Sequence, residues 1–122
     1  MAYRSFEELE VWKRACKMAV EVYLALKDCK EFSLRDQMNK AAVSVPSNIA
    51  EGAERDSAKE FIRFLHIAKG SSAELRTQLY ITEKIGILNS KTTRPLITET
   101  KEISSMLQGL IKSLNPKPKL KT

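Results

Sequence analysis

Apolar side chains recur at steps of three and four residues through most of the chain, the spacing that places side chains on one face of an α-helix. The most regular series follows Ser57, which forms a capping-box pattern with Glu60, and it ends before Gly86, a residue suited to a left-handed helix cap. This series predicts a helix over residues 58–85. Its predicted core stripe comprises Phe61, Leu65, Ala68, Ser72, Leu75, Leu79 and Thr82.

A second stripe lies one position earlier on each turn of this helix and is apolar only at its two ends. Two adjacent stripes predict that the helix contacts more than one neighbour, either in a central bundle position or at a subunit interface. The second stripe comprises Phe64, Ile67, Ser71, Glu74, Gln78 and Ile81.

The same spacing predicts a helix over residues 6–27, with Ser5 as its N-cap and Glu8 as the second member of a capping box. Charged residues fall largely on the other faces, as expected of a solvated side. The predicted buried stripe of this first helix comprises Phe6, Leu9, Trp12, Cys16, Ala19, Val20, Tyr23 and Leu26.

A helix is also predicted from a cap at Ser33 to a stop at Gly52. Pro46 lies in its interior, where it removes a backbone donor and clashes with the preceding turn at a cost of roughly 3 kcal/mol, so we expect a kink. The predicted buried stripe comprises Leu34, Met38, Ala41, Ala42, Val45 and Ile49.

The last predicted helix has Thr93 as its cap and Pro95 in its first turn, and it ends before Asn115-Pro116. Its apolar positions again follow heptad steps, which is typical of a helix that packs in a bundle. They comprise Leu96, Thr100, Ile103, Leu107, Leu110 and Leu114.

Four amphipathic helices with short connections predict an all-α, antiparallel up-down-up-down four-helix bundle, a single domain over residues 1–114 with a kinked second helix. Residues 115–122, rich in lysine and proline, are predicted to form a basic flexible tail. The composition agrees, because four glycines and four prolines leave little room for the turns of an all-β fold.

The net charge of +6 suggests nucleic acid as a partner, and its distribution is uneven. Residues 91–122 carry seven Lys or Arg against two acids, whereas the first 56 residues carry nine against ten. A lysine-rich tail is also typical of a solubilising end, so the charge alone leaves both interpretations open. No apolar run approaches the 18 or so residues of a membrane span, and the N-terminus lacks a signal-peptide pattern, which predicts a cytoplasmic protein without membrane contact.

Residues suited to catalysis are few. Cys16 and Cys29 are expected to be free thiols, and with the single His66 they do not have the spacing of a zinc site. No Glu-x-x-His pair, glycine-rich phosphate loop or nucleophile elbow occurs. We therefore predict that the chain is not an enzyme and has no catalytic residue, metal or cofactor.

Polar residues do interrupt the predicted apolar surfaces of the second and third helices. If these helices are adjacent, Arg55 could pair with Glu74 or Glu51, and the amides of Asn48 and Gln78 could link the helices. These polar residues could form a hydrogen-bonded network that sets helix register or a subunit contact, or a shallow site for a ligand or RNA backbone. The network is favoured, because the residues include no acid/base pair. The set comprises Gln37, Ser44, Asn48, Glu51, Arg55, Ser71, Glu74 and Gln78.

The run from Val45 to Gly52, Val-Pro-Ser-Asn-Ile-Ala-Glu-Gly, followed by Arg55, resembles the signature of the four helix bundle proteins also called 23S rRNA intervening-sequence proteins. The pattern Phe-x-x-Phe-Leu-x-Ile-Ala-x-Gly-Ser-x-x-Glu-Leu from Phe61 to Leu75 matches the same family. The resemblance covers residues 6–114. The resemblance implies a bacterial antiparallel bundle that assembles as a homopentamer. The chain is also similar to the accessory variability protein of diversity-generating retroelements, which binds nucleic acid and a reverse transcriptase.

Two functional hypotheses follow. The first is a non-enzymatic, pentameric accessory protein that binds RNA or DNA, and the second is a scaffold whose pentamer docks a reverse transcriptase or another protein without nucleic acid. For the first hypothesis the binding surface is expected in the basic second half of the chain. The candidate nucleic-acid-binding residues are Arg63, Lys69, Arg76, Lys84, Lys91, Arg94, Lys101 and Lys112.

Overall fold

The computed structural model describes residues 5–115, which form four long α-helices and one short 3-10 turn, Phe6–Glu8. Helix α1 spans Glu10–Ala25, α2 spans Phe32–Ala53, α3 spans Ala58–Lys84 and α4 spans Ser90–Leu114. No strand occurs in this described range. The predicted all-α fold is confirmed, while the predicted tail lies outside the described residues apart from Asn115.

The helices pack in a ring in which each contacts its two neighbours in sequence order and α4 returns to α1. Neighbouring helices run antiparallel. The start of α3 lies against the end of α2 at Gly52, and Ser71, further along α3, lies against the earlier residue Ser44. Lys69 similarly bonds Gln108 near the end of α4, whereas Glu83 bonds Arg94 near its start. This is the predicted up-down-up-down four-helix bundle.

The predicted core stripe of α3 is confirmed, because all seven of its residues are buried. The predicted stripe of α2 is buried too, except that Leu34 is only partly covered. Burial of each large aliphatic side chain contributes about 1.5–3 kcal/mol, so these two central stripes supply much of the favourable free energy of folding.

The predicted buried stripe of the first helix is wrong except at its last residue, Leu26, which is buried. Val20 and Tyr23 are 58% and 60% exposed, and none of the predicted residues of that helix itself is fully buried. The buried residues of α1 instead follow a neighbouring stripe, because apolar side chains occupy more than one side of this helix and the position of its neighbours selects the inner one. They are Val11, Ala15, Met18 and Val22, with Leu26 buried just after the helix ends.

Three predicted helix starts are also displaced. Ser5 caps the 3-10 turn by accepting from the Glu7 N–H, and the extended backbone of Leu9 separates this turn from α1. Helix α2 begins before Ser33, with Glu31 at its N-cap, and α4 begins before Thr93, with Asn89 accepting from the Thr92 N–H. Thr93 is instead buried, where it donates to a Glu83 oxygen.

Gly52 does not end α2, which was its predicted role. It lies inside the helix, and a Cβ built there would be 2.6 Å from the Cβ of Phe64 and 3.2 Å from the carbonyl oxygen of Phe61. The glycine is therefore required by the close crossing of α2 and α3. Gly86, in contrast, has a φ of 79° after α3, as its predicted left-handed cap requires. Helix α2 continues past Pro46, whose expected kink stays a prediction.

Candidate nucleic-acid interface

The polar residues of α2 and α3 meet at a pair of serines. The hydroxyl oxygens of Ser44 and Ser71 are 2.8 Å apart, so one donates to the other across the two helices. Asn48, one turn further along α2, donates from Nδ2 to the Ser44 carbonyl at 2.8 Å and to the Ser44 hydroxyl at 2.9 Å. These bonds link three of the eight residues predicted to form the polar network.

The other members of that set are not drawn into it. Arg55 pairs with Glu51 on its own helix at 3.1 Å, rather than with Glu74. Neither Gln37 nor Glu74, both exposed, has a hydrogen bond or ion pair within residues 5–115. Gln78 is 7% exposed, and its buried Oε1 has no donor in the described part of the chain. The α2/α3 seam therefore retains one unsatisfied acceptor.

A second polar surface lies on the outer side of α3 and α4, and we call it the basic face. Three contacts define it: Lys69 reaches Gln108, Arg76 reaches Ser104, and Arg94 reaches Glu83. Other cations follow on the same sides of the two helices, four, seven, eight or ten residues from these positions, which are sums of three- and four-residue steps. The basic face comprises Lys59, Lys69, Arg76, Lys84, Arg94, Lys101 and Lys112, with His66 beside Lys69.

The acidic residues of α3 and α4 are largely directed away from the basic face. Glu99 and Glu102 bond Arg14 of α1, at 2.5 Å and 3.0 Å, and these hydrogen bonds raise the pKa of Arg14. Glu60 bonds Arg63 at 3.0 Å, and Glu74 follows the α2-facing stripe of α3. In the described part of α3 and α4, Glu83 is the only carboxylate that forms an ion pair with one of the seven cations.

Glu83 is bound closely at one end of this face. Arg94 Nη2 donates to its Oε2 at 2.7 Å, and Thr93 donates to its Oε1. The Arg94 and Thr93 hydrogen bonds hold the pKa of Glu83 below its ordinary value, and Glu83 raises the pKa of Arg94. The charge of Arg94 is therefore balanced, whereas no other cation of the face forms a salt bridge within residues 5–115.

Two of the predicted nucleic-acid-binding residues lie elsewhere. Arg63 pairs with Glu60, and its guanidinium carbon lies 4.5 Å from the ring centre of Phe64, which faces α2. Lys91 lines a groove between α4 and α1 that also contains Arg14 and Glu99. The structure brings the other six predicted cations to the α3/α4 side.

Sequence reasoning missed the remaining members of this face. Lys59 lies at the seam beside the end of α4, and His66 lines a recess with Lys69 and Arg76. The seven-residue step from Lys59 to His66 was a signal that both lie on one side of the same helix. The two cysteines belong to other parts of the bundle, and burial raises the pKa of the Cys16 thiol.

The chain is similar to known proteins in sequence and in fold. The model of the family described as 23S rRNA-intervening sequence protein matches residues 7–109. A crystal structure of a protein of unknown function from the S23 ribosomal protein family of Bacteroides thetaiotaomicron has the same fold, with a TM-score of 0.79 and 24% identity over 84% of this chain and 98% of that chain. No curated protein sequence gives a significant match. Every helix within residues 5–115 is too short or too polar to cross a lipid bilayer.

Proposed function

We propose that this chain, which belongs to the 23S rRNA-intervening sequence protein family, is a non-enzymatic, oligomeric protein that binds nucleic acid through the basic face. The observation that carries the proposal is the separation of charge on α3 and α4. Lysines and arginines from both helices share one surface, while the carboxylates other than Glu83 are bound to cations of other surfaces or follow the α2 seam. A polyanion is the partner that such a surface attracts.

The dimensions of the basic face suit an extended phosphate backbone. Lys59 and Lys84 are 25 residues apart on α3, which corresponds to roughly 38 Å at a rise of 1.5 Å per residue. The α4 cations Lys101 and Lys112 form a parallel row beside them. Contact with several phosphates would make binding strongly dependent on salt, since each neutralised phosphate releases counterions.

The proposed protein has no catalytic role of its own and requires no cofactor. The only histidine, His66, has a lysine and an arginine as its charged neighbours in the recess, so it lacks the carboxylate that orients a catalytic imidazole. The carboxylates of Glu99 and Glu83, which lie between helices, form salt bridges with Arg14 and Arg94 and do not form acid/base pairs with each other. An accessory, non-catalytic role accords with these features, and we propose that the protein acts in the cytoplasm.

The oligomer that we propose is a homopentamer, as the family resemblance implies. The α2/α3 seam supports a protein contact, because the α3 stripe that holds Gln78, with its unsatisfied Oε1, also carries the exposed Ile67 and Ile81. Five copies of a chain with charge +6 would carry +30, which would strengthen attraction to a polyanion. Light scattering should give the mass of five 13.8 kDa chains, and a monomeric mass would contradict this part of the proposal.

Binding to mixed-sequence single-stranded RNA at several salt concentrations tests the nucleic-acid function. We expect measurable binding at low salt and a steep linear decrease of log K with log salt. Lys101→Glu and Lys112→Glu should each weaken binding and lower the salt slope by about 1. Lys13→Glu and Lys40→Glu provide matched controls, because these lysines are exposed on α1 and α2. Absence of binding, absence of a salt slope, or equal losses in the controls would overturn the proposal.

A scaffold that docks a protein partner is the second candidate, and a separate surface favours it. Val20, Tyr23 and Leu24 on α1 and Val43 on α2 are all more than half exposed. Exposed apolar side chains of this kind are typical of protein contact sites. A pull-down after nuclease treatment tests this candidate. Recovery of a reverse transcriptase or another single protein at fixed stoichiometry would support the scaffold, provided that the purified chain fails to bind RNA.

A further inference from the structure

A recess of about 360 Å³ lies in the basic face, between the middle of α3 and α4. Its lining contains three nitrogen-bearing side chains and otherwise small residues, and it includes no carboxylate. The lining residues are His66, Lys69, Gly70, Ala73, Arg76 and Ser104. A concave surface lined by a lysine and an arginine and by no carboxylate is suited to an anion.

Arg76 differs from the other arginines of residues 5–115 in having no carboxylate partner. The five others each form a salt bridge, and their carboxylates offset the guanidinium charge. These five are Arg14, Arg35, Arg55, Arg63 and Arg94. The charge of Arg76 is therefore available to a ligand.

Neutral acceptors hold Arg76 in place. Its Nε donates to Thr100 Oγ1 at 2.9 Å, and its Nη2 donates to Ser104 Oγ at 3.0 Å and to the Thr100 carbonyl at 3.3 Å. Ser104 in turn donates to Ser72 at 3.2 Å, and Ser72 donates to the Thr100 carbonyl at 3.0 Å. Nη1 has no acceptor within the described residues, so its two N–H groups remain for a ligand.

Lys69, two turns earlier on α3, is also held by a neutral acceptor. Its Nζ donates to the neutral Oε1 of Gln108 at 2.6 Å, which orients the ammonium without cancelling its charge and leaves two N–H donors. Gly70 lies in the same lining, and a Cβ built on it has no heavy atom within 4 Å, so no side chain fills the space at this position. Fixed donors reduce the conformational entropy that a ligand must overcome on binding.

We propose that this recess, which we call the Arg76 recess, binds one tetrahedral phosphate group through Arg76 Nη1 and Lys69 Nζ. This inference rests on the proposed function, because it identifies the Arg76 recess as the position where a backbone phosphate of the bound RNA is held. The planar guanidinium supplies paired N–H donors that match two phosphate oxygens, and the ammonium supplies a compact charge. The open volume leaves space for the adjoining nucleotides.

A charge placed at Gly70 tests the inference with little disturbance of the fold. Gly70→Glu adds a carboxylate beside Lys69 and Arg76, whereas Gly70→Gln adds nearly the same shape without charge. Ser47→Glu is the control for the added charge, since Ser47 is exposed on α2, which contributes no residue to the basic face. We expect Gly70→Glu to weaken RNA binding at least tenfold and to lower the salt slope by at least about 0.7, while the other two variants change both by little.

Inorganic phosphate provides a readout that does not depend on RNA. In NMR titrations of the full chain, phosphate should shift the side-chain signals of Arg76 and Lys69, and Gly70→Glu or Lys69→Met should abolish the shifts. An oligonucleotide with phosphodiester linkages should produce the same shifts, whereas one with neutral methylphosphonate linkages should not. Shifts with inorganic phosphate but not with the oligonucleotide would overturn the assignment to a backbone phosphate.

The two proposals fail in different ways. If the unaltered chain binds RNA with a salt slope, but Gly70→Glu behaves as Ser47→Glu and phosphate shifts the signals of neither cation, the Arg76 recess is not the phosphate site and the basic face retains its function. If the unaltered chain does not bind RNA at all, the proposed function fails first. Melting curves of each variant separate loss of binding from loss of fold.

Discussion

Ser44 on α2 and Ser71 on α3 share a hydrogen bond of 2.8 Å at the seam of the two helices. Asn48 supports this bond by donating to both the hydroxyl and the carbonyl of Ser44. The three residues lie in a partly buried position, where a polar group without a partner costs about 1–3 kcal/mol. The first prediction follows from this relationship.

Asn48→Ala should destabilise the fold by about 1–2 kcal/mol, because it removes two donors and leaves the Ser44 oxygens less well satisfied. Chemical denaturation followed by circular dichroism measures the effect. Ser47→Ala is a suitable control, since Ser47 is exposed on the same helix. Equal stabilities of the two variants would show that the Asn48 amide contributes nothing to the seam.

Glu74→Ala should leave the stability of a single chain unchanged, because Glu74 is exposed and has no ion pair or hydrogen bond within residues 5–115. Its effect is expected on assembly, since Glu74 lies on the α3 stripe between Ser71 and Gln78. Analytical ultracentrifugation over a dilution series should show dissociation of the variant at a higher concentration than the parent. The same dissociation profile for both proteins would exclude a contact through Glu74.

Gly52→Ala should destabilise the bundle by about 1–3 kcal/mol, because the new methyl group would meet the Cβ of Phe64 at 2.6 Å. Gly109→Ala is the matched control and should stabilise the chain by about 0.5–1 kcal/mol, since its Cβ would occupy open space. Thermal melting of both variants measures the contrast. A stabilising effect of Gly52→Ala would show that α2 and α3 can separate without cost.

The stability of the bundle should depend on the ionisation of Glu83. Hydrogen bonds from Arg94 and Thr93 lower the pKa of Glu83 in the folded chain, so the unfolded chain binds its proton more tightly. The stabilisation is therefore present above the ordinary glutamate pKa and is lost as the pH falls through the lowered pKa of the folded state. Glu83→Gln should reduce stability at pH 7.

Denaturation measured from pH 7 down to pH 2 tests this expectation. The difference in unfolding free energy between the parent and Glu83→Gln should shrink as the medium becomes more acidic. Glu7→Gln serves as the control, because Glu7 is exposed and lies outside the α3/α4 contact. A constant difference across the pH range would mean that the Glu83 carboxylate charge is not what stabilises this contact.

Much of the fold could be predicted from the sequence because local rules and tertiary packing agree there. The α3 stripe from Phe61 to Thr82 is both helical in period and buried, and Ser57 caps its helix by accepting from the Glu60 N–H at 3.1 Å. The lysines of the second half were likewise identified as candidates for a basic surface. Period, capping and charge are properties of short segments, so the sequence alone determined them.

Only the tertiary structure decided which of several compatible arrangements occurs. Helix α1 carries apolar residues on two sides, and its neighbours select Met18 for the core and leave Tyr23 exposed. Gly52 appeared to end a helix, yet its lack of a side chain serves the crossing with Phe64. The unpaired charge of Arg76 depends on the neutral groups that α4 places beside it. These features arise from distances between segments far apart in sequence, which periodicity along one helix does not specify.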